Sequence, residues 1–418
     1  MIDSGLFFHV ARRLARDCKK VYYWTPTENS FPTVKKGCIG DGYDDVERVK
    51  SYLSVKSEVD FYFFTHIGFS AEQADLKAQG IPVWGAGNAD SLEENRGKFL
   101  KMLGEAGLQV PPHEIILGMD ALREHLKDKE NKWIKISKWR QDFETVHWRS
   151  WGLDNVRLDY YSTKFGSVKN EIEFFVFDDI ETEIENGGDF WFAGGKFPNK
   201  SFQGMEAKNK AYLLTFCDAE KMPNPVKSVN EAIAPILAGY DYSGFISTEI
   251  RTVDKDDFYF TDITTRCGSP PSDAMCEMLS NYSEIASAGA NSECLEPVEA
   301  AKFGMQIYVK LKRIPEEWFE AMIPPELDQW FKPMFCLKVG EKTCWPPDKE
   351  NDAGWLVAIG NTIEETLETL KSYIELLPYG LETDISPMAA LLEEVKAAEE
   401  QHMTFTEQAV PEPSEVLS

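Results

Sequence analysis

The sequence predicts an α/β protein: an N-terminal parallel α/β unit, a central mixed region and a smaller C-terminal α/β region. Three observations carry this reading. Helix-period and strand-period patterns alternate from Leu6 to Trp84. Two strands with polar faces, GFISTEIRT and FYFTDITTR, flank a short polar turn at 253–257. A further strand-then-helix pattern follows residue 300. The implied boundaries are 1–88, 89–300 and 301–403, followed by a tail over 404–418.

Taken in order, Leu6, Phe7, Val10, Ala11 and Leu14 recur at helical spacing. Val21–Trp24 reads as a buried strand, and Val46, Val49, Tyr52 and Leu53 mark a second helix. Asp60–Thr65 and Ile81–Trp84 are two more strands. Only Met1–Gly5 precedes the first helix, so either the chain starts late or its opening strand is very short. Ser91 is placed to cap a helix over 92–106, with Glu93 and Glu94 in its first turn. Strands follow at 133–137 and 171–177, then a helix over 229–237 that Pro235 bends or ends. Beyond residue 300, strands are expected near 306–311 and 355–359. Thr362 starts a helix carrying Ile363, Leu367, Leu370 and Tyr373. The tail, with two prolines and three glutamates, reads as disordered.

Composition narrows the function. The formal charge of −26 opposes tight binding to nucleic acid backbones or anionic membranes, though a few local cations still suffice for a phosphate ligand. No apolar run approaches the roughly 20 residues that span a bilayer. The N-terminus has no signal pattern. Eight scattered cysteines without a C-x-x-C pair read as reduced thiols, which fits a cytoplasmic protein.

The sharpest chemical signal is the strand pair. Alternation puts Ser247, Glu249 and Arg251 on one face, and Phe260, Asp262, Thr264 and Arg266 on one face of the next strand. If odd positions pair with even ones, two carboxylates and two arginines converge. Such carboxylates repel unless a cation lies between them, and hard oxygen ligands suit Mg²⁺. The same pattern also suits a solvated hairpin face with cross-strand ion pairs. Lys135, within WIKIS, points away from Ile134 and Ile136, either into a cleft where it neutralises phosphate or into solvent. Asn95-Arg96 opens a basic helical stretch, alone a weak signal. GAGNAD at 85–90 lacks the third glycine of a dinucleotide loop and reads as a plain turn.

In their order and spacing these pieces resemble the ATP-grasp superfamily, and the phosphoribosylamine–glycine ligases (glycinamide ribonucleotide synthetases) within it. The resemblance covers roughly residues 1–403. It implies a two-lobed ATP-binding region between the flanking α/β units, with ATP and Mg²⁺ as cofactors. GNADSLEENRGKFLKMLGEAGLQVPP is similar to the entry into that region, with Arg96 as a phosphate contact. WIKIS places Lys135 at a second phosphate contact, with Lys138 in the loop after it. FFVFDDIETEIE resembles the hinge segment that holds adenine and ribose, with Asp178 and Glu183 as candidates. GMEAKNKAY supplies Lys208 toward substrate or phosphate. TEIR and TDITTR resemble the metal strands, with Glu249, Asp262 and Thr264 as metal ligands and Arg266 near the transferred phosphate. GWLVAIGNTIEETLETLKSY is similar to the C-terminal domain.

There are departures. Arg96 stands where the family has lysine, Asp262 where it has glutamate and Thr264 where it has asparagine. The loop 137–145 has no glycine, so backbone N–H groups approach phosphates less easily, and Lys138 and Arg140 are the compensating cations. The resemblance implies a carboxylate–amine ligase acting through an acyl phosphate on small molecules. CGSPPSDAM after Arg266 and the aromatic, glycine-rich DFWFAGGKFPNKSFQG imply an acceptor diverged from phosphoribosylamine. A non-catalytic nucleotide-binding protein with the same fold is the alternative.

Overall fold

The structure, a computed structural model, describes residues 1–26, 38–137, 145–182, 184–208, 210–312, 318–347 and 351–400, and positions 405, 410, 411, 416 and 417. In the N-terminal unit the opening strand is a single residue. Ile2 bridges in parallel to both Trp24 and Phe64. Around it, β1 (Tyr22–Tyr23) pairs in parallel with β2 (Glu47–Arg48), and β3 (Tyr62–Phe63) with β4 (Val83–Trp84). The helix expected at 46–53 does not form. Backbone bonds from Glu47 N to Val21 O (3.0 Å) and Val49 N to Tyr23 O (2.8 Å) pull this stretch into the sheet, and Tyr52–Val55 makes a 3₁₀ turn. Sheet pairing overrides the helical spacing here.

A small antiparallel sheet follows, of β5 (His113–Leu117), β6 (Lys132–Ile136), β7 (Thr145–Trp148) and β8 (Glu173–Asp178), in the order β5-β8-β6-β7. Ile134, Ile136, Val146, Trp148, Phe174 and Val176 pack with Leu122 and Leu158 of its two helices. Strand alternation therefore sends Trp133, Lys135 and Phe177 to the other face.

The large sheet is built from β9 (Glu185–Phe192), β10 (Lys200–Ala207), β11 (Ala211–Asp218), β12 (Gly244–Thr252), β13 (Phe258–Thr264) and β14 (Phe303–Leu311). After them come β15 (Phe319–Met322), β16 (Phe331–Pro333), β17 (Leu337–Val339), β18 (Lys342–Trp345), β19 (Asp352–Gly360) and β20 (Leu381–Glu382). The order is β13-β12-β9-β10-β11-β14-β19-β16, with β20 on β14, while β15, β18 and β17 form a separate sheet. The strands expected near 306–311 and 355–359 are thus β14 and β19, and they continue the sheet that carries Glu249 and Asp262.

Two helix expectations change in detail. The helix at 92–106 breaks into Asp90–Glu94 and Arg96–Glu105, capped by Asn95 rather than Ser91, its side chain accepting from Lys98 N at 3.0 Å. The helix around 229–237 runs from Asn224 to Gly239 through Pro235. Pro235 is on its exposed face, where water reaches the carbonyl that proline leaves unpaired. Thr362 does cap Ile363–Glu375, accepting from Glu365 N at 3.0 Å. Of the tail read as disordered, Phe405 and Val416 are buried in the largest core. Among the described residues no helix is long and apolar enough to cross a membrane.

A buried charged cluster ties together segments far apart in sequence. Glu277 accepts both terminal nitrogens of Arg16 (2.7 and 2.9 Å) and Gln329 (2.9 Å), and pairs with buried Lys332. Burial alone raises the Glu277 pKa, but Lys332 and Arg16 outweigh it and pull it down to about 2. A depressed carboxylate stabilises the fold fully above its ordinary unfolded value and loses that contribution as pH falls through the folded value. Glu277→Gln is therefore expected to cost about 3–5 kcal/mol at pH 7, the loss typical of breaking a buried pair. That cost should shrink as pH falls from about 4.5 toward 2. Urea unfolding of both proteins at pH 7 and pH 3 checks it, and an equal difference at both pH values would contradict it.

Candidate active site

A cleft of about 740 Å³ separates the two sheets. The small sheet contributes Trp133, Lys135, Phe177 and Asp178, and the large one Glu185, Asp189, Glu206, Tyr212, Glu249 and Asp262. A larger groove, about 1070 Å³, runs along the N-terminal unit. Part of its charge is paired along the wall, as in the chain Lys20–Tyr22–Glu58 (2.8 and 2.5 Å), whereas the carboxylates and cations of the two polar strands face the inter-sheet cleft.

The β12–β13 register brings the carboxylates together as alternation anticipates. Ser247 pairs with Thr264 and Glu249 with Asp262. A β-bulge then shifts the register, so that Ile250 faces Phe260 and Arg251 faces Tyr259. Phe260 therefore belongs to the core, 1% exposed, and not to the polar face where strict alternation puts it. Thr261, which strict alternation puts on the side opposite Asp262, lines the cleft, its hydroxyl donating to Glu249 O at 3.1 Å.

On the other side of β12 the ladder to β9 opens at Gly188. The Thr248 hydroxyl takes the place of backbone, accepting from Gly188 N at 3.0 Å. A Cβ on Gly187 would lie 1.7 Å from Thr248 O, so only glycine permits this approach beside Glu249.

Asp262 gathers the cations. Its Oδ2 accepts from Arg96 Nη2 (3.0 Å) and Lys135 Nζ (3.1 Å), while Oδ1 accepts from Ile263 N (3.0 Å). Arg96 is 6% exposed and also donates to Thr261 O (3.0 Å). Desolvation, then Arg96, lowers the Lys135 pKa, against the pull of Asp262 and Glu249. Lys208, at the cleft mouth, donates to Glu249 Oε1 at 3.0 Å and lies 3.6 Å from Glu206. Burial works against its charge, but Glu249, Glu206 and Glu185 outweigh it and hold the ammonium protonated.

Arg266 is clasped by Glu93, Nε to Oε1 at 2.9 Å, and donates to Cys267 O at 2.9 Å. Glu93, read from sequence as a helix-dipole residue, is instead fully buried beneath that arginine. Thr264 lines the cleft. Asp178 lines it too, paired with Lys132. Lys138 and Glu183 lie outside the described residues. The structure thus gathers Arg96, Lys135, Lys208, Glu249, Asp262, Thr264 and Arg266 around the cleft, with Asp178 at its small-sheet end.

Sequence reasoning missed several lining residues. Trp133 donates to Asp179 Oδ1 at 2.7 Å and stacks on His147, centroids 4.4 Å apart. Asp189, Tyr212, Glu185 and Glu206 complete the floor. The signal for Trp133 was available, since it alternates with Ile134 on the strand that also carries Lys135.

The chain has the ATP-grasp fold. It is similar to the crystal structure of phosphoribosylamine–glycine ligase from Thermotoga maritima, at 14% identity and TM-score 0.65, over 91% of this chain and 97% of that one. It is also similar to the biotin carboxylase domain of Hydrogenobacter thermophilus 2-oxoglutarate carboxylase, solved with MgADP, ADP and bicarbonate. There the identity is 10% and the TM-score 0.63, over 95% and 94% of the two chains. A third likeness is to L-amino acid ligase from Bacillus licheniformis, at 13% identity and TM-score 0.60, over 92% and 97%. No family model and no curated protein sequence matches.

Proposed function

We propose that this chain is an ATP- and Mg²⁺-dependent carboxylate–amine ligase acting on small molecules. One observation carries the reading: Lys135 of the small sheet and Arg96 of the helix Arg96–Glu105 converge on a carboxylate of the large sheet, Asp262, beside Glu249. Glu249 and Asp262 offer hard oxygen donors on one face and are the residues that would hold Mg²⁺. Bound MgATP supplies the phosphoryl group and draws charge from the phosphate oxygens.

The chain's own residues do the rest by position and charge. Lys135 and Arg96 neutralise Asp262 and, once that carboxylate has a metal partner, are free to neutralise phosphate. Arg266, fixed by Glu93, steadies the phosphate passing to a substrate carboxylate. Lys208 gives positive charge at the mouth, where the substrates enter. Trp133 and Phe177 offer apolar walls to adenine, with Asp178 toward the ribose. An amine then displaces phosphate from the acyl phosphate, and closure of the two sheets keeps water out. The eight cysteines, all free thiols, suit the reducing cytoplasm.

The test is Mg²⁺-dependent ADP release over a panel of acid–amine pairs. ATP binding without release across the panel would favour a non-catalytic nucleotide-binding protein. Ser269–Pro271 lines the cleft where the sequence departs from the glycine ligases, which supports a diverged acceptor. Rapid formation of glycinamide ribonucleotide from glycine and phosphoribosylamine, on the order of 1–10³ s⁻¹, would overturn that divergence.

Lys135→Ala is expected to weaken ATP binding about tenfold or more while slowing the saturated reaction less, because a ground-state phosphate contact contributes mainly to binding. Calorimetric titration with a non-hydrolysable ATP analogue checks this. Unchanged affinity would remove Lys135 from the phosphate site.

A further inference from the structure

Six carboxylates of the cleft are held by cations or an indole. Asp262 has Arg96 and Lys135, Glu249 and Glu206 share Lys208, Glu185 has Arg251, Asp178 has Lys132, and Asp179 has the Trp133 N–H. Asp189 is different. It sits on the cleft floor at 1% exposure, in register with Ser247 two residues from Glu249. Among the described residues no cation lies within salt-bridge distance of it. Its partners are two hydroxyls, Tyr212 at 2.7 Å and Ser247.

The pair has a built seat. A Cβ on Gly204 would lie 2.6 Å from Asp189 Oδ2 and 2.3 Å from the Tyr212 oxygen, so glycine at that position makes room for both groups. A buried carboxylate without a cation is costly unless something positive comes to it. Burial pushes its pKa up to about 6, in keeping with a group that lacks its counterion.

We propose that Asp189, positioned by Tyr212, binds the ammonium group of the acid substrate, so that the acid activated here is an amino acid rather than a simple carboxylate or bicarbonate. This rests on the ligase reading for the word substrate. The recognition itself rests on the uncompensated carboxylate on the floor beside Glu249. A zwitterion would place its ammonium on Asp189 and its carboxylate toward the phosphate side, where Arg266 and the Glu249–Asp262 pair lie.

The experiment is a binding titration of the full chain with Mg²⁺ and a non-hydrolysable ATP analogue. The probes are the twenty amino acids and β-alanine, then the des-amino and N-acetyl forms of whichever bind, and bicarbonate. At least one free amino acid should bind, with both amine-blocked forms at least about tenfold weaker. Asp189→Asn should weaken that amino acid at least about tenfold and leave ATP affinity within about twofold. Tyr212→Phe should weaken it less. Equal binding of the des-amino acid, a preference for bicarbonate, or no amino acid bound at all would overturn the proposal. Should Asp189→Asn fail to fold, the amino against des-amino preference of the unaltered chain and its partial reduction in Tyr212→Phe decide. Because binding is read without turnover, ADP release under an amine-free acid would sink this proposal and leave the ligase reading standing. Amino acid binding without ADP release would do the reverse.

Discussion

Replacing Asp262 with asparagine is expected to reduce ADP formation by at least about 10³-fold while the chain stays folded. The side chain is 17% exposed, and among the described residues its two oxygens serve Arg96, Lys135 and Ile263 N. Asparagine keeps one acceptor oxygen for these donors, and Arg96 retains Thr261 O. The cost to stability should therefore be modest, about 1–2 kcal/mol, the scale of one weakened charge-assisted hydrogen bond. The cost to chemistry is larger. A neutral amide is a poor Mg²⁺ ligand beside Glu249, and it leaves Lys135 and Arg96 crowded without their anion. Steady-state ADP release, with thermal unfolding as the control, separates the two effects. ADP formation close to that of the unaltered chain would remove Asp262 from the metal site.

The legible part of the site is the part that strand alternation writes locally. Glu249 and Asp262 share a face because each strand alternates with period two, and their hairpin sets the register. The bulge at Thr261 was not legible: it depends on how β13 meets β12, and it turns Phe260 from the polar face into the core. Asp189 was invisible for a related reason. Its segment, DFWF, reads only as part of an aromatic stretch that sets the acceptor apart, and the Asp189 carboxylate gains meaning only once β9 lies between β10 and β12. The error at 46–53 has the same root. Apolar residues at helical spacing serve there as the edge of a parallel pair, a choice made by Val21 and Tyr23 far away in sequence. Cap signals behaved well where side chain and backbone are neighbours, as at Thr362, and failed where two short helices share one stretch, as at Ser91.

Gly187→Ala is expected to destabilise the chain by about 3 kcal/mol or more, the upper range for forcing atoms into a packed interior. The residue belongs to the strand between β10 and β12, and its added Cβ would stand 1.7 Å from a backbone oxygen, Thr248 O. Backbone in the middle of a nine-stranded sheet cannot move aside as a side chain can. Relief requires β9 and β12 to part, which would also break the Thr248 hydroxyl bond to Gly188 N. Gly188→Ala provides the contrast. Its Cβ would meet the ring of buried Phe190 at 1.8 Å, a side chain that can shift further than sheet backbone can, so its cost should be smaller although the distance is nearly the same. Because Glu249 follows Thr248 directly, parting the strands would also shift a carboxylate of the proposed metal site, and ADP release should fall with stability in Gly187→Ala. Denaturant unfolding of both variants checks the ranking. Gly187→Ala within about 0.5 kcal/mol of the unaltered chain, the range of harmless surface changes, would show that β9 and β12 do not approach each other as closely as Gly187 permits.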